Sequence, residues 1–205
     1  MAHNNEKVLP NLKQYKIVLC SNSPRRKELM RGLGLDFQTR VIDGIDESYD
    51  KSLPGEDIAK IISEKKAESY KATMSSDELI ITADTIVYVD GEVLGKPQDR
   101  LDAIRMLKML SGKSHDVITG VCIQTQTKST SFSVKTKVTF AQMTDDEINF
   151  YIDNHKPYDK AGAYGIQEWI GYIGVESIEG SYFNVMGLPV QKLYSVLKNA
   201  QSLFL

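Results

Sequence analysis

The stretch Cys20-Ser21-Asn22-Ser23-Pro24-Arg25-Arg26 joins a short apolar run to a predicted helix. The run before it, residues 15–20, has the length of a buried strand. Ser23 is a favourable N-cap and the proline after it suits the first helical position, so we predict a helix over 24–31, with Gly32 just past its end. A strand, a small polar loop and a helix N-terminus together present free backbone N–H groups and a positive dipole end. The stretch therefore predicts an anion site.

The two arginines of this stretch strengthen that interpretation. Cations in the first turn of a helix oppose its dipole by about 0.3–1 kcal/mol each. A bound anion such as a phosphate chain would restore the balance. The alternative is that the side chains of Arg25 and Arg26 lie in solvent or pair with surface carboxylates, and the residues alone leave both open.

Composition limits the class of protein. The chain has 205 residues, of which 41% are hydrophobic and 25% charged, so it can form one domain or two small lobes that share a cleft. A net charge of −2 excludes the basic surface of a general nucleic-acid binder. Cys20 and Cys122 both lie in apolar runs and are expected to be buried thiols in a reducing compartment. Because the N-terminus is polar and no window is apolar enough to cross a membrane, we expect a cytoplasmic protein without a membrane partner.

Patterning along the chain predicts an α/β fold. The predicted segments are an extended segment over 37–45, a helix over 54–73, a strand over 79–89, a hairpin turn at Asp90-Gly91, a helix over 99–110, an antiparallel pair over 115–127 and 131–140 with one solvent-exposed face, a helix over 145–154 behind a capping box at Thr144, a hairpin over 169–175 and 178–184, and a helix over 189–202. Helices that alternate with isolated strands and with hairpins are typical of a mixed sheet.

Asp84 is the most informative single residue, because it lies in the middle of the most apolar strand. A carboxylate there is costly unless it is paired or binds a metal. One alternative is an ion pair with Lys66 or Lys96, and the other is a metal ligand or general base at the mouth of a cleft. Lys66 itself continues the apolar stripe of helix 54–73, so it either extends to the surface or reaches into a cleft.

Each of the remaining polar candidates could instead be an ordinary surface residue. Glu47 and Asp46 form a second acidic group, which either is a solvated loop or supplies the one or two carboxylates that Mg²⁺ needs beside its waters. Lys96 follows a hairpin and either binds phosphate or lies on the surface. Lys160 and Gln167 share a glycine-bearing loop, in which the amide of Gln167 can both donate to and accept from the edge of a base.

Several classes of enzyme are excluded by motif. The three histidines show no metal-ligand spacing, and the chain has no nucleophile elbow, Walker loop or dinucleotide fingerprint. A cationic phosphate cradle and separated carboxylates remain. This set fits metal-assisted attack of water on a phosphoric anhydride, in which lysine and arginine offset the growing oxyanion charge.

Four motifs in order resemble those of the Maf family: Ser21-Asn22-Ser23-Pro24-Arg25-Arg26-Lys27-Glu28-Leu29, Ala83-Asp84-Thr85-Ile86-Val87, Gly95-Lys96-Pro97 and Asp159-Lys160-Ala161-Gly162-Ala163-Tyr164-Gly165-Ile166-Gln167. With Gly187-Leu188-Pro189 they span residues 16 to about 200. The resemblance implies an elongated mixed β-sheet flanked by helices, like that of inosine triphosphate pyrophosphatases, with a cleft between two lobes. It implies a single domain over 15–205, behind a polar N-terminal extension of residues 1–14.

The resemblance also implies an activity. It is that of a nucleoside triphosphate pyrophosphatase, which cuts between the α and β phosphates and requires a divalent metal such as Mg²⁺ or Mn²⁺. The loop over 159–167 resembles the branch that acts on dTTP and UTP, and modified pyrimidine nucleotides are further candidate substrates. Two alternatives stay open: a nucleotide-binding regulator of cell division, or the same reaction on a modified purine such as 7-methyl-GTP. A homodimer is compatible with the resemblance.

The resemblance also implies a role for each candidate site residue. The resemblance makes Asp84 the proton acceptor, and Glu47 is expected to join it as a metal ligand. The predicted catalytic cations are Lys66 and Lys96. The predicted substrate-binding residues are Ser21, Arg25, Arg26, Thr85, Lys160 and Gln167, of which Arg25, Thr85 and Gln167 are tied to the choice of nucleotide. In one departure, Gln167 is followed by Glu168-Trp169 where the family more often has a glycine.

Overall fold

The structure, a computed structural model, describes residues 8–200. In this part of the chain seven strands form one sheet in the order β2-β1-β3-β5-β6-β7, and β4 pairs with β3 outside that path. The strands are β1 (Lys16–Leu19), β2 (Gln38–Thr39), β3 (Glu78–Val89), β4 (Glu92–Leu94), β5 (Ser114–Gln124), β6 (Ser129–Phe140) and β7 (Val175–Glu179). The α-helices are α1 (Pro24–Gly32), α2 (Gly55–Tyr70), α3 (Arg100–Leu110), α4 (Asp145–His155), α5 (Trp169–Gly174), α6 (Tyr182–Val185) and α7 (Val190–Lys198). Short 3₁₀ helices occur at Pro10–Leu12, Lys71–Thr73 and Ala161–Ala163.

The sheet contains both strand directions. Strand β1 pairs in parallel with β2 and with the first four residues of β3. Strand β4 returns antiparallel to β3 through Asp90 and Gly91, whose φ angles of 51° and 83° are those of a tight hairpin turn. Strand β7 is antiparallel to β6. The predicted α/β class with a mixed sheet is therefore confirmed. No helix within 8–200 is both long and apolar enough to span a bilayer.

The described residues divide into two compact units, of which the first comprises 8–84, 119–134 and 187–200, and the second 85–118 and 135–186. The single-domain prediction for 15–205 stays a prediction. Of the predicted polar extension, residues 1–7 lie outside the described part of the chain. Leu9 and Leu12 of that extension are only 1% exposed, so its end belongs to the core of the first unit.

Both cysteines are buried free thiols, as predicted. They belong to a core cluster of the first unit that comprises Val18, Cys20, Ala67, Tyr70, Met74, Ile80 and Cys122. Burial raises the pKa of each thiol to about 12, so both are protonated and unreactive at neutral pH.

The core of the second unit contains a histidine. His115 is 3% exposed, and its Nε2 lies 2.8 Å from the hydroxyl of Tyr164. The rings of Phe140 and Tyr164 pack edge-on against the imidazole. Burial lowers the pKa of His115 to about 4, so the imidazole is neutral at pH 7. The histidine thereby anchors Tyr164, which lies in the loop that leads to Gln167.

The hairpin predicted over 169–175 and 178–184 is wrong. Residues 169–174 form α5, residues 182–185 form α6, and only the strand between them, β7, pairs in the sheet. Ile170 and Gly174, four positions apart, are both buried, whereas Tyr172 between them is 84% exposed, so burial follows the helical period. Gly171 permits this turn, because a Cβ there would lie 1.9 Å from the carbonyl oxygen of Ile166.

Smaller corrections concern segment ends and exposure. Of the extended segment predicted over 37–45, only β2 pairs in the sheet. Helix α1 includes Gly32, and the left-handed residue that follows is Gly34, with a φ of 70°. Strand β5 is buried on both faces from Val117 onward, so the predicted solvent-exposed face is wrong for that strand. The last helix ends at Lys198, and residues 201–202 of the prediction lie outside the described part.

Candidate active site

The first unit brings Asp84, Lys66 and Glu47 together. The Lys66 ammonium lies 2.6 Å from Asp84 Oδ1 and 3.0 Å from Glu47 Oε1. The side chains of Lys66 and Asp84 are 15% and 14% exposed, whereas that of Glu47 is 53% exposed. Of the partners considered from sequence, Asp84 thus pairs with Lys66 rather than with Lys96. Two carboxylates share one ammonium, and the cluster is open to solvent at Glu47.

Helix α2 delivers Lys66 to this point because its residues at four-residue spacing face the sheet. Ile58, Ile62 and Tyr70 on that stripe are buried, and Lys66 continues it. The buried hydroxyl of Thr82 on β3 donates to the carbonyl of Ser63 on α2 at 2.6 Å. This bond aligns the helix with the strand that carries Asp84.

Arg26 joins the first turn of α1 to the same strand. Its Nη1 donates to the carbonyl of Ala83 and its Nε to the carbonyl of Gly187, both at 2.8 Å. Burial lowers the pKa of Arg26, and the negative charge of Asp84 opposes that effect. Arginine remains charged in proteins in any case. Two backbone carbonyls therefore hold the Arg26 guanidinium on the strand that carries Asp84.

The loop before α1 is ordered by its serines. Ser23 is the N-cap, as predicted, and its hydroxyl accepts from the backbone N–H of Arg26. Ser21 is buried, and its hydroxyl accepts from the backbone N–H of Ser23 at 3.2 Å. Arg25, in the first turn of α1, is half-buried. This loop leads directly into the helix N-terminus, the kind of arrangement that can bind an anion.

The second unit contains Thr85, Lys96, Lys160 and Gln167. Lys160 is buried, and its ammonium lies 2.7 Å from Asp159 Oδ1 and 2.9 Å from Glu168 Oε1. Lys96 is exposed, in a connection tied to the same loop by a hydrogen bond from Gly162 N–H to the carbonyl of Gly95 at 3.0 Å. Thr85 directly follows Asp84 in β3 and is half-buried.

Gln167 is exposed and lines an open cavity of about 430 Å³. The other lining residues, all of the second unit, are Ile166, Gly171, Tyr172, Val175, Ile178 and Tyr182. Apolar and aromatic walls with one amide at the rim suit a planar group that carries both hydrogen-bond donors and acceptors.

Some functional partners were missed by sequence reasoning. Arg26 was predicted to face an anion, but its carbonyl acceptors Ala83 and Gly187 carry no side-chain signal. Glu168 was noticed only as a departure from the family pattern, and its contact with Lys160 depends on a turn that composition does not reveal. Gly165 leaves room for this contact, since an added Cβ would lie 2.8 Å from the Glu168 carboxyl carbon, but the sequence alone does not show which side chain fills that space.

The carboxylates of Asp84 and Glu47 suit a hard divalent cation. No group of three or more His, Cys, Asp or Glu residues converges on a metal position within residues 8–200. Asp84 and Glu47 nevertheless point an oxygen each at a single position, now taken by the Lys66 ammonium. Two carboxylates are enough for Mg²⁺, because this ion keeps several of its waters.

The sequence profile of Maf-like proteins matches residues 16–200, and the chain belongs to the Maf family. A protein of Parabacteroides distasonis named dTTP/UTP pyrophosphatase is 60% identical over 192 residues, which cover 94% of this chain and 100% of that protein. A protein of the same name from Flavobacterium johnsoniae is 47% identical and covers 91% of this chain and 95% of its own length. Among solved structures, the Staphylococcus aureus Ham1 protein is similar with a TM-score of 0.48 at 14% identity, covering 90% of this chain and 98% of that one.

Proposed function

We propose that this protein hydrolyses dTTP and UTP to the nucleoside monophosphate and pyrophosphate. Relatives of that name, up to 60% identical over nearly the whole chain, support the proposal. The single structural observation that carries it is the half-buried Asp84 on β3, which lies 2.6 Å from the Lys66 ammonium. Arg26 of α1 donates to the carbonyl of Ala83, the residue before Asp84, and so joins the proposed phosphate-binding helix to the same strand. A base, a cation and a phosphate-binding element thus occur together in one unit.

In the proposed reaction, water attacks the α-phosphorus. A bond forms between the water oxygen and phosphorus, the bond to the bridging oxygen between the α and β phosphates breaks, and pyrophosphate leaves. Asp84 already receives a hydrogen bond from Lys66 at Oδ1, so we assign Oδ2 to accept the proton of the water. Lys66 and Lys96 offset the charge that grows on the phosphate oxygens, and the N-terminus of α1 with Ser21, Arg25 and Arg26 holds the phosphate chain.

A divalent cation, Mg²⁺ or Mn²⁺, would be held by Asp84 and Glu47, the two carboxylates that converge on the Lys66 ammonium. When bound, such an ion polarises a phosphate oxygen as a Lewis acid. Because the Lys66 ammonium now contacts both carboxylates, it would have to move from the position on which they converge for the ion to be held there.

Base selection is assigned to Arg25, Thr85 and Gln167. The exposed amide of Gln167 borders a cavity with two tyrosine walls, and an amide can donate to and accept from a pyrimidine edge together. Lys160 supports the loop that carries Gln167. The buried free thiols of Cys20 and Cys122 support a cytoplasmic location.

Hydrolysis of dTTP in ¹⁸O-labelled water tests the proposal. Attack at the α-phosphorus puts the label in dTMP and leaves pyrophosphate unlabelled, as mass spectrometry of the two products would measure. A control incubates dTMP and pyrophosphate with the enzyme in the same water. Label in the pyrophosphate would move the attack to the β-phosphorus, and the absence of pyrophosphate release from dTTP and UTP would refute the proposed activity.

A further inference from the structure

Glu168 connects three parts of the second unit. It occupies the N-cap position of α5, directly after Gln167, and its side chain is 26% exposed. One carboxylate oxygen lies 2.9 Å from the Lys160 ammonium, and the other accepts a hydrogen bond from the hydroxyl of Tyr151 on α4. The Tyr151 oxygen in turn accepts from the backbone N–H of Gly165 at 3.0 Å. A chain of hydrogen bonds thus runs from a buried lysine to a backbone group two residues before Gln167.

Residues 165–168 form a tight turn with Gln167 in its third position. The backbone N–H of Glu168 donates to the carbonyl of Gly165 at 2.9 Å, which closes the turn. A Cβ on Gly165 would lie 2.8 Å from the Glu168 carboxyl carbon and 2.9 Å from Lys160 Cε. The carboxylate and the lysine stem therefore pack directly on this turn, which is held by both backbone and side-chain contacts.

In this network each donor faces an acceptor: the Lys160 ammonium and the Tyr151 hydroxyl both contact the Glu168 carboxylate. Burial, with the hydrogen bond to Glu168, raises the pKa of Tyr151, so the phenol is protonated and donates at neutral pH. The Lys160 ammonium is enclosed by the carboxylates of Glu168 and Asp159. Removal of Glu168 would leave a buried lysine with one exposed partner and a phenol without its acceptor. The loss would destabilise the 165–168 turn, because Tyr151 accepts from the Gly165 N–H and the Lys160 side chain packs against Gly165.

We propose that Glu168 is a positioning residue for nucleotide selection. Through Tyr151 and Lys160 it fixes the 165–168 turn, so that the exposed amide of Gln167 keeps one orientation toward the cavity. The inference rests on the proposed function, because selection presupposes a nucleotide substrate. Hydrogen bonding to a base edge discriminates only if the amide is fixed, since a mobile amide can turn to fit several bases.

Steady-state kinetics with dTTP, UTP and dATP test the selective role. Glu168→Ala is expected to lower the dTTP-to-dATP ratio of kcat/KM about tenfold, through a higher KM for dTTP with kcat little changed. Glu168→Gln keeps an acceptor for Tyr151 but loses the ion pair with Lys160, so its ratio should lie between those of wild type and Glu168→Ala. The control is Glu176→Gln, at an exposed position of β7 in the same unit, with no expected change. An unchanged ratio in folded Glu168→Ala overturns the selective role.

Hydrogen exchange tests the turn without reference to activity. The Gly165 amide should exchange slowly in the wild type and in Glu176→Gln, and markedly faster in Glu168→Ala and Tyr151→Phe at equal global stability. Equal exchange in all four proteins overturns the claim that Glu168 holds the turn. If wild-type protein releases pyrophosphate from none of the triphosphates, the proposed function fails and the selective role with it, whereas the exchange result still decides whether Glu168 fixes the turn.

Discussion

Arg26 shows at the scale of one residue how the anion-binding helix is fastened beside the reactive carboxylate. Its Nη1 and Nε donate to the carbonyls of Ala83 and Gly187, and the charge of Asp84 partly offsets the effect of burial on the guanidinium. A half-buried cation with such partners stays in one place. Arg26 therefore fixes the geometry of the site in addition to any contact with phosphate.

Replacement of Arg26 by Met is expected to destabilise the protein. Two backbone carbonyls lose their donor, and an unsatisfied buried polar group costs about 1–3 kcal/mol. Urea unfolding would measure the change in the free energy of unfolding. Arg31→Met, in the exposed last turn of the same helix, is the matched control and should change stability by about 0.5 kcal/mol or less. Equal losses in the two variants would show that the carbonyl contacts of Arg26 contribute nothing.

Single residues differ in how far sequence could assign them. Asp84 was predictable because a carboxylate inside an apolar strand is costly, and Lys66 because it continues a buried stripe. The positions of both residues follow from the pattern of apolar residues around them. Their contact at 2.6 Å agrees with the ion pair that the sequence analysis gave as one alternative for Asp84. Glu168 was not predictable, because its partners Tyr151 and Lys160 come from separate segments that only the folded chain brings together.

At the scale of elements, the close approach of α2 to β5 fixes where Lys66 lies. Gly120 on β5 packs so closely on α2 that a Cβ there would lie 2.1 Å from the carbonyl oxygen of Ala59 and 2.5 Å from the backbone nitrogen of Lys60. Both contacts are with backbone, which a rotamer change cannot relieve. Helix α2 would have to shift away from the sheet to accept any side chain at this position.

Gly120→Ala is therefore expected to lower the free energy of unfolding by about 3 kcal/mol, at the upper end of overpacking effects. It should also slow catalysis, because the shift of α2 moves Lys66 away from Asp84. Thermal and urea unfolding measure the first effect and pyrophosphate release the second. Gly32→Ala is the control, since nothing lies within 4 Å of a Cβ there and a helical alanine should add about 0.5–1 kcal/mol. Wild-type stability in Gly120→Ala would contradict the close packing.

Elements with strong local signals were predictable, and those that depend on tertiary contacts were not. A few neighbouring residues are enough to identify the capping box at Thr144, which begins α4, and the Asp90-Gly91 turn, which joins β3 to β4. Both occur as predicted. Residues 169–174 contain aromatic and β-branched residues that favour a strand, yet they form α5. Six residues are too few to distinguish a helical from a strand period of hydrophobic residues. The close approach of Gly171 to the carbonyl of Ile166, which a side chain would prevent, favours the helix.

At the scale of the whole molecule, both units carry residues of the family's motifs. The first contains the cluster of Asp84, Lys66 and Glu47 with the N-terminus of α1, and the second contains Lys160 and Gln167 with the turn that Glu168 holds. The boundary between the units falls between Asp84 and Thr85, two consecutive residues of one motif. Since the match to Maf-like proteins covers 16–200, both units belong to the family.

The central claim is that Asp84 acts as the base of a pyrophosphatase, and its substitution by Asn tests this most directly. The measurement is the rate of pyrophosphate release from dTTP with Mg²⁺, together with dTTP binding by calorimetry and a check that the variant stays folded. We predict that Asp84→Asn lowers the rate by about 10²–10⁴-fold, the usual contribution of a general base, while dTTP still binds. Release of pyrophosphate by the folded variant at the wild-type rate would contradict the account.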